Sequence, residues 1–87
     1  MPLISTFYGI IIRMFLEGGQ HNIPHFHASY AEHKVVVSFD GTILAGSMPE
    51  NKMRLIRAWL VIHHDELLAN WQLIQNGEAS FKIEPLK

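Results

Sequence analysis

Cysteine is absent from the 87 residues, so neither a disulfide nor a thiolate metal site contributes to the fold or the chemistry. Charge is sparse as well. Only 17% of residues are charged and the net value is −1, which does not supply the cationic surface that sequence-independent binding of nucleic-acid phosphates requires. No apolar run approaches the ~20 residues needed to cross a bilayer. The stretch "PLISTFYGIIIRMFL" has no basic start and no small-residue cleavage site, and Arg13 interrupts it, so it does not read as a signal peptide and none is expected. A cytoplasmic protein without membrane association is therefore expected. Gly18-Gly19 fits neither a P-loop nor a Rossmann fingerprint, and no serine sits in a G-x-S-x-G elbow.

What remains describes a single domain over residues 1–87. Apolar residues make up 48% of the chain, enough for one hydrophobic core and too many for a disordered segment. The first fifty residues set Arg13 and Lys34 against Glu17, Glu32, Asp40 and Glu50, a balance of −2. The remainder has a balance of +1, its only basic cluster being "NKMRLIR", which reads as a solvated helix face.

The hydrophobic period changes once, at Pro49. Before it, "TFYGIIIRMFL" alternates, with Ile10, Ile12 and Met14 on one face and Ile11, Arg13 and Phe15 on the other. "HFHASYA" puts Phe26, Ala28 and Tyr30 on one face and His25, His27 and Ser29 on the opposite one. "KVVVSFD" and "TILAGSM" follow, joined by Asp40-Gly41, a two-residue hairpin signal. These segments predict a four-stranded antiparallel meander. After Pro49, residues Ile56, Trp59, His63, Leu67, Trp71 and Ile74 recur at helical spacing, and Gly77 ends the run. One helix from Asn51 to Asn76 would measure ~39 Å, long for so small a domain, so two helices are expected. The break falls near "HHDE", where Asp65 is placed to cap the second helix. "ASFKIEP" reads as a short C-terminal strand. The fold class is α+β, with Ile10, Ile12, Phe26, Val35, Val37, Ile56, Trp59, Leu67 and Trp71 in the core.

"QHNIPHFHASYAEHK" concentrates four of the six histidines in fifteen residues. On a strand, His25 and His27 share a face about 7 Å apart at Cα, a spacing that lets two imidazoles reach one ion. His21 in the preceding loop offers a third nitrogen and Glu32 a carboxylate, the ligand set of an open transition-metal site. The same His25 and His27 are the candidate catalytic pair, since imidazole titrates near neutrality. Against this, a histidine on a half-exposed strand is more often structural, so no cofactor is expected, and a transition metal at His21, His25, His27 and Glu32 is the alternative. His63 belongs with Trp59 and Leu67 as a core histidine, and His64 lies at the surface.

The spacing Gly19, His25, His27, Glu32 resembles the first motif of the cupin family. Its last gap, to Gly41, is eight residues instead of six, and the second cupin motif has no counterpart downstream. No cupin barrel is expected. A looser likeness runs to small interferase toxins of the HicA kind, which place a working histidine at the start of a hairpin packed on helices. His25 or His27 would stand there as general base for RNA cleavage through the 2′-hydroxyl.

The ordered set "PLISTFYGIIIRMF", "PHFHASYAEHK", "GTILAGSMP", "AWLVIHHDELLANW" and "KIEPL" resembles a bacterial family defined as domain of unknown function 4160. The resemblance covers nearly the whole chain. It implies a small α+β protein encoded beside a second small protein, in a toxin–antitoxin-like two-gene arrangement, and it assigns no catalytic residues. The expected function is accordingly a protein-interaction module with a small partner encoded nearby, a homodimer being the alternative assembly. A histidine-dependent RNase or other hydrolase, metal-assisted or not, is the alternative activity.

Overall fold

Apolar character runs without a gap through Phe7 and Ile10, yet the chain reverses between them. Tyr8 and Gly9 have φ of 50° and 81°, the two positive values that a type I′ hairpin turn requires, and Phe7 faces Ile10 across it. The computed structural model describes residues 3–16 and 23–87. In it the stretch expected as one strand is two, β1 (Leu3–Phe7) and β2 (Ile10–Arg13). With β3 (His25–Tyr30), β4 (His33–Ser38) and β5 (Ile43–Gly46) they form a five-stranded antiparallel sheet in the order β1-β2-β3-β4-β5. The meander is as expected; the strand count is five rather than four.

The remaining hairpins use different turns. Tyr30 pairs with His33 around Ala31-Glu32, with Ala31 at φ 52°. Asp40-Gly41 does mark a hairpin, but the loop has three residues. Gly41 donates to the Ser38 carbonyl at 3.0 Å, Ser38 donates to the Thr42 carbonyl at 2.9 Å, and Gly41 takes φ 92°. This is a type I turn followed by a left-handed glycine. Asp40 completes it by accepting from the Ser38 hydroxyl and, at 3.0 Å, from the Thr42 amide.

Pro49 is the N-cap of α1 (Glu50–Ile62), its fixed φ of −54° preceding the first helical turn. The helix ends at His63, whose φ of −109° leaves the helical range, and α2 (His64–Gln75) begins immediately after. Two helices are thus present, broken where expected, but Asp65 is not the cap. His63 holds the N-cap position without a side-chain bond to the backbone, and its Nδ1 donates instead to the Glu66 carboxylate at 2.6 Å. Gly77, at φ 77°, closes α2. Gly77 donates to Ile74 and Glu78 to Leu73, at 3.1 and 2.8 Å, the two bonds of a Schellman end.

Both helices lie on one face of the sheet. Trp59 of α1 is fully buried, 5.5 Å from Phe7 and 5.8 Å from Phe26 between ring centroids. Ile10, Ile12, Phe26, Val35, Val37, Ile56, Leu67 and Trp71 are buried around it, as expected from the two periods.

Residues 78–87 form no strand, contrary to the reading of "ASFKIEP". Most of their backbone bonds go to side chains. Asn70, fully buried, donates to the Phe81 carbonyl and accepts from the Phe81 amide, both at 2.8 Å, and the Trp59 indole donates to the Glu84 carbonyl at 2.8 Å. One bond of 2.9 Å, from the Ile83 amide to the Ile4 carbonyl, ties this strap to β1, too little to make a ladder.

Candidate functional site

Strand pleating sends Ile10, Ile12, Phe26, Ala28, Val35 and Val37 to the helices and their neighbours to the other side. Cross-strand register then builds two rows on that outer face. Arg13, His27, Val36 and Ala45 lie side by side in one, and Ile11, Ser29 and Lys34 in the next. With Phe15 they line a groove of about 410 Å³. No element among the described residues covers it.

His27 stands at the middle of this groove, its imidazole stacked on Phe15 with centroids 4.3 Å apart and planes 16° apart. His25 does not share that setting. It is 94% buried, from a relative exposure of 6%, and its ring lies 5.2 Å from that of Trp71 in α2 and 5.4 Å from that of His27. Its Nδ1 donates to the Ile23 carbonyl at 2.8 Å, so that nitrogen carries the proton. The histidine pair is therefore brought together, but across the sheet margin instead of side by side on an open face. At the first position of β3, Trp71 of α2 packs against the ring that pleating alone assigns to solvent.

The other metal candidates are not assembled with them. Glu32 lies in the exposed turn at the far end of the β3–β4 hairpin, paired with His33 at 3.8 Å. From His27 to Tyr30, before that turn even begins, is ~10 Å along the strand. His21 lies outside the described residues. Among the described residues no three of His, Cys, Asp and Glu are placed to hold one ion. His63, expected in the core, is half-buried with its ring 5.7 Å from Trp59, and His64 is exposed beside Phe39, as expected.

Arg13, Lys34, Val36 and Ala45 are the groove residues that sequence reasoning did not select. A signal existed for Arg13, which alternates onto the face of Ile11 and Phe15, but only the strand register reveals that this face continues across β3 to Val36 and Ala45. Among the described lining residues there are two cations and no carboxylate. Neither cation is ion-paired with a described residue.

A family model defined as a domain of unknown function, DUF4160, matches residues 9–72. The chain belongs to this family. No curated protein and no solved structure matches it. The DUF4160 span runs from the Tyr8-Gly9 turn into α2 and takes in every groove residue named above, while β1 and the strap lie outside it. No helix of this DUF4160 chain is long and apolar enough to cross a membrane, among the described residues.

What the groove can do chemically follows from its walls. Apolar side chains supply most of the lining, with polar groups at Arg13, His27, Ser29 and Lys34.

Proposed function

We propose that the protein is an interaction module, one member of a two-protein system of the toxin–antitoxin-like kind in a bacterial cytoplasm. The observation that carries this reading is the outer face of the sheet, which no described element covers, with its groove beside β5. Antiparallel sheets often keep one face for water, but such a face is then polar, whereas Ile11, Phe15, Val36 and Ala45 are apolar here. The edge adds to the case. All four residues of β5 are exposed, Ile43 and Leu44 at 40% and 43%, and none is charged or proline, the usual protection of a free edge. The β1 edge, by contrast, is engaged by the C-terminal strap.

Co-expression with the small protein encoded beside it tests the reading. Stoichiometric recovery of that neighbour is expected, with a loss of about tenfold or more in Val36→Asp. Failure to recover the neighbour overturns the two-protein reading. His27 in the groove favours one alternative, a histidine-dependent RNase, and RNA cleavage abolished by His27→Ala would replace the binding reading with that one.

A further inference from the structure

We propose that the segment received by the outer face is an acidic amphipathic helix of the partner protein. This rests on the interaction-module reading and adds the chemistry of what is bound.

Backbone hydrogen bonding selects a helix over an extended segment on this face. In the middle of the sheet the strands already pair with one another, β2 with β3, β3 with β4, and β4 with β5, the last with one irregularity between Val36 and Val37. An extended segment laid over that face would find no backbone partners and would bury its own amides unpaired. A helix satisfies its backbone internally. The face from β2 to β5 spans three strand spacings, about 14 Å, against a helix diameter of about 10–12 Å with side chains. The sheet already receives two helices on its inner face by the same geometry.

Charge then selects the kind of helix. Arg13 and Lys34 occupy opposite corners of the four-cornered patch they form with Ile11 and Val36. They are two strands and two residues apart, about 12 Å at Cα. Two carboxylates seven residues apart on a helix are separated by about 10.5 Å, a gap that the long cationic side chains can close. Ile11 and Val36 occupy the other two corners, so apolar residues at i+3 and i+4, which lie between such carboxylates on the same helix face, would meet the middle of the patch. A basic segment would instead bring like charges against Arg13 and Lys34, and no carboxylate among the described lining residues offsets them.

Two synthetic peptides of about five helical turns test this, sharing one amphipathic apolar pattern, with glutamate in one and lysine in the other at the flanking positions. Binding is followed by fluorescence titration and by the backbone amide resonances of the full-length protein. The glutamate peptide is expected to bind at least about tenfold more tightly and to move the resonances of Ile11, Arg13, Val36 and Ala45. Arg13→Glu with Lys34→Glu should invert the preference, and Arg13→Gln with Lys34→Gln should erase it, giving a second readout if charge reversal impairs folding. Equal affinities, no binding, resonance shifts confined to α1 and α2, self-association through β5, or tighter binding of single-stranded oligouridine would each overturn the proposal. Recovery of the neighbouring gene product undiminished by Arg13→Gln with Lys34→Gln would overturn the acidic helix while leaving the interaction module standing. No recovery from any variant or from the wild type would remove the module itself.

Discussion

The imidazole of His25 packs against the indole of Trp71, ring centroids 5.2 Å apart, joining the start of β3 to the middle of α2. The same imidazole donates to the Ile23 carbonyl at 2.8 Å, just ahead of the strand. One side chain thus fixes the entry of β3 and a helix–sheet contact. His25→Ala removes a buried hydrogen bond and a ring contact together, so a loss of about 1–3 kcal/mol is expected in urea unfolding. His64→Ala, at an exposed position, should stay within about 0.5 kcal/mol. Equal effects of the two substitutions would mean that His25 is not held as described.

A metal site built on His25 would have to spare that hydrogen bond and find further ligands. Glu32 is a hairpin length away, and no described triad of donors converges. Protein purified without a histidine tag should therefore carry zinc, iron or nickel well below one equivalent by elemental analysis. Near-stoichiometric metal that disappears in His21→Ala or His27→Ala would establish the metal-assisted alternative.

The sequence is legible where one face of an element is buried and the other is not. Ile10 and Ile12 alternate with Ile11 and Arg13, and Ile56, Trp59, Leu67 and Trp71 recur at helical spacing, because water and core lie on opposite sides of those elements. It is less legible where the backbone is satisfied in unusual ways. Tyr8-Gly9 turns the chain inside an apolar run, and the conformation at Tyr8 is one a non-glycine residue seldom takes. The strap around Ile83 forms no strand, and most of its backbone partners are the side chains of Asn70 and Trp59, which no local pattern announces. For the site, alternation places His27 correctly. It misplaces His25, because Trp71 of α2 packs against a side chain at the start of β3 that the pleat directs outward.

Asn70 is the hinge of that strap. Its amide presents one donor and one acceptor to the Phe81 backbone, as a neighbouring strand would, and it is fully buried. Asn70→Ala leaves the Phe81 N–H and C=O without their partner, at about 1–3 kcal/mol in all, since Phe81 is itself exposed. Asn70→Asp keeps the acceptor but sets a carboxylate oxygen against the Phe81 carbonyl. Both substitutions should lower stability and release residues 78–87 to proteolysis ahead of the sheet. Cleavage of the strap at the wild-type rate in both variants would show that Trp59 and Ile83 suffice to hold it.

Acid stability offers a separate test at the β4–β5 turn. Asp40 accepts from the Ser38 hydroxyl and from the Thr42 amide, and these bonds lower its pKa from 3.8 to about 2, the Ser38 hydroxyl contributing most. Because the folded state holds the carboxylate ionised to lower pH than the unfolded chain does, its contribution is complete above pH 4 and fades as the pH falls toward 2. The unfolding free energy of the wild type should therefore decline through this window. In Asp40→Asn, whose amide does not titrate but whose oxygen can still accept from Thr42, the decline should be shallower between those pH values. Ser38→Ala should shrink the wild-type decline as well, since it removes the larger cause of the shift. Identical acid limbs for wild type and Asp40→Asn would mean that the turn does not bind its carboxylate in this way, and that acid sensitivity arises elsewhere in the chain.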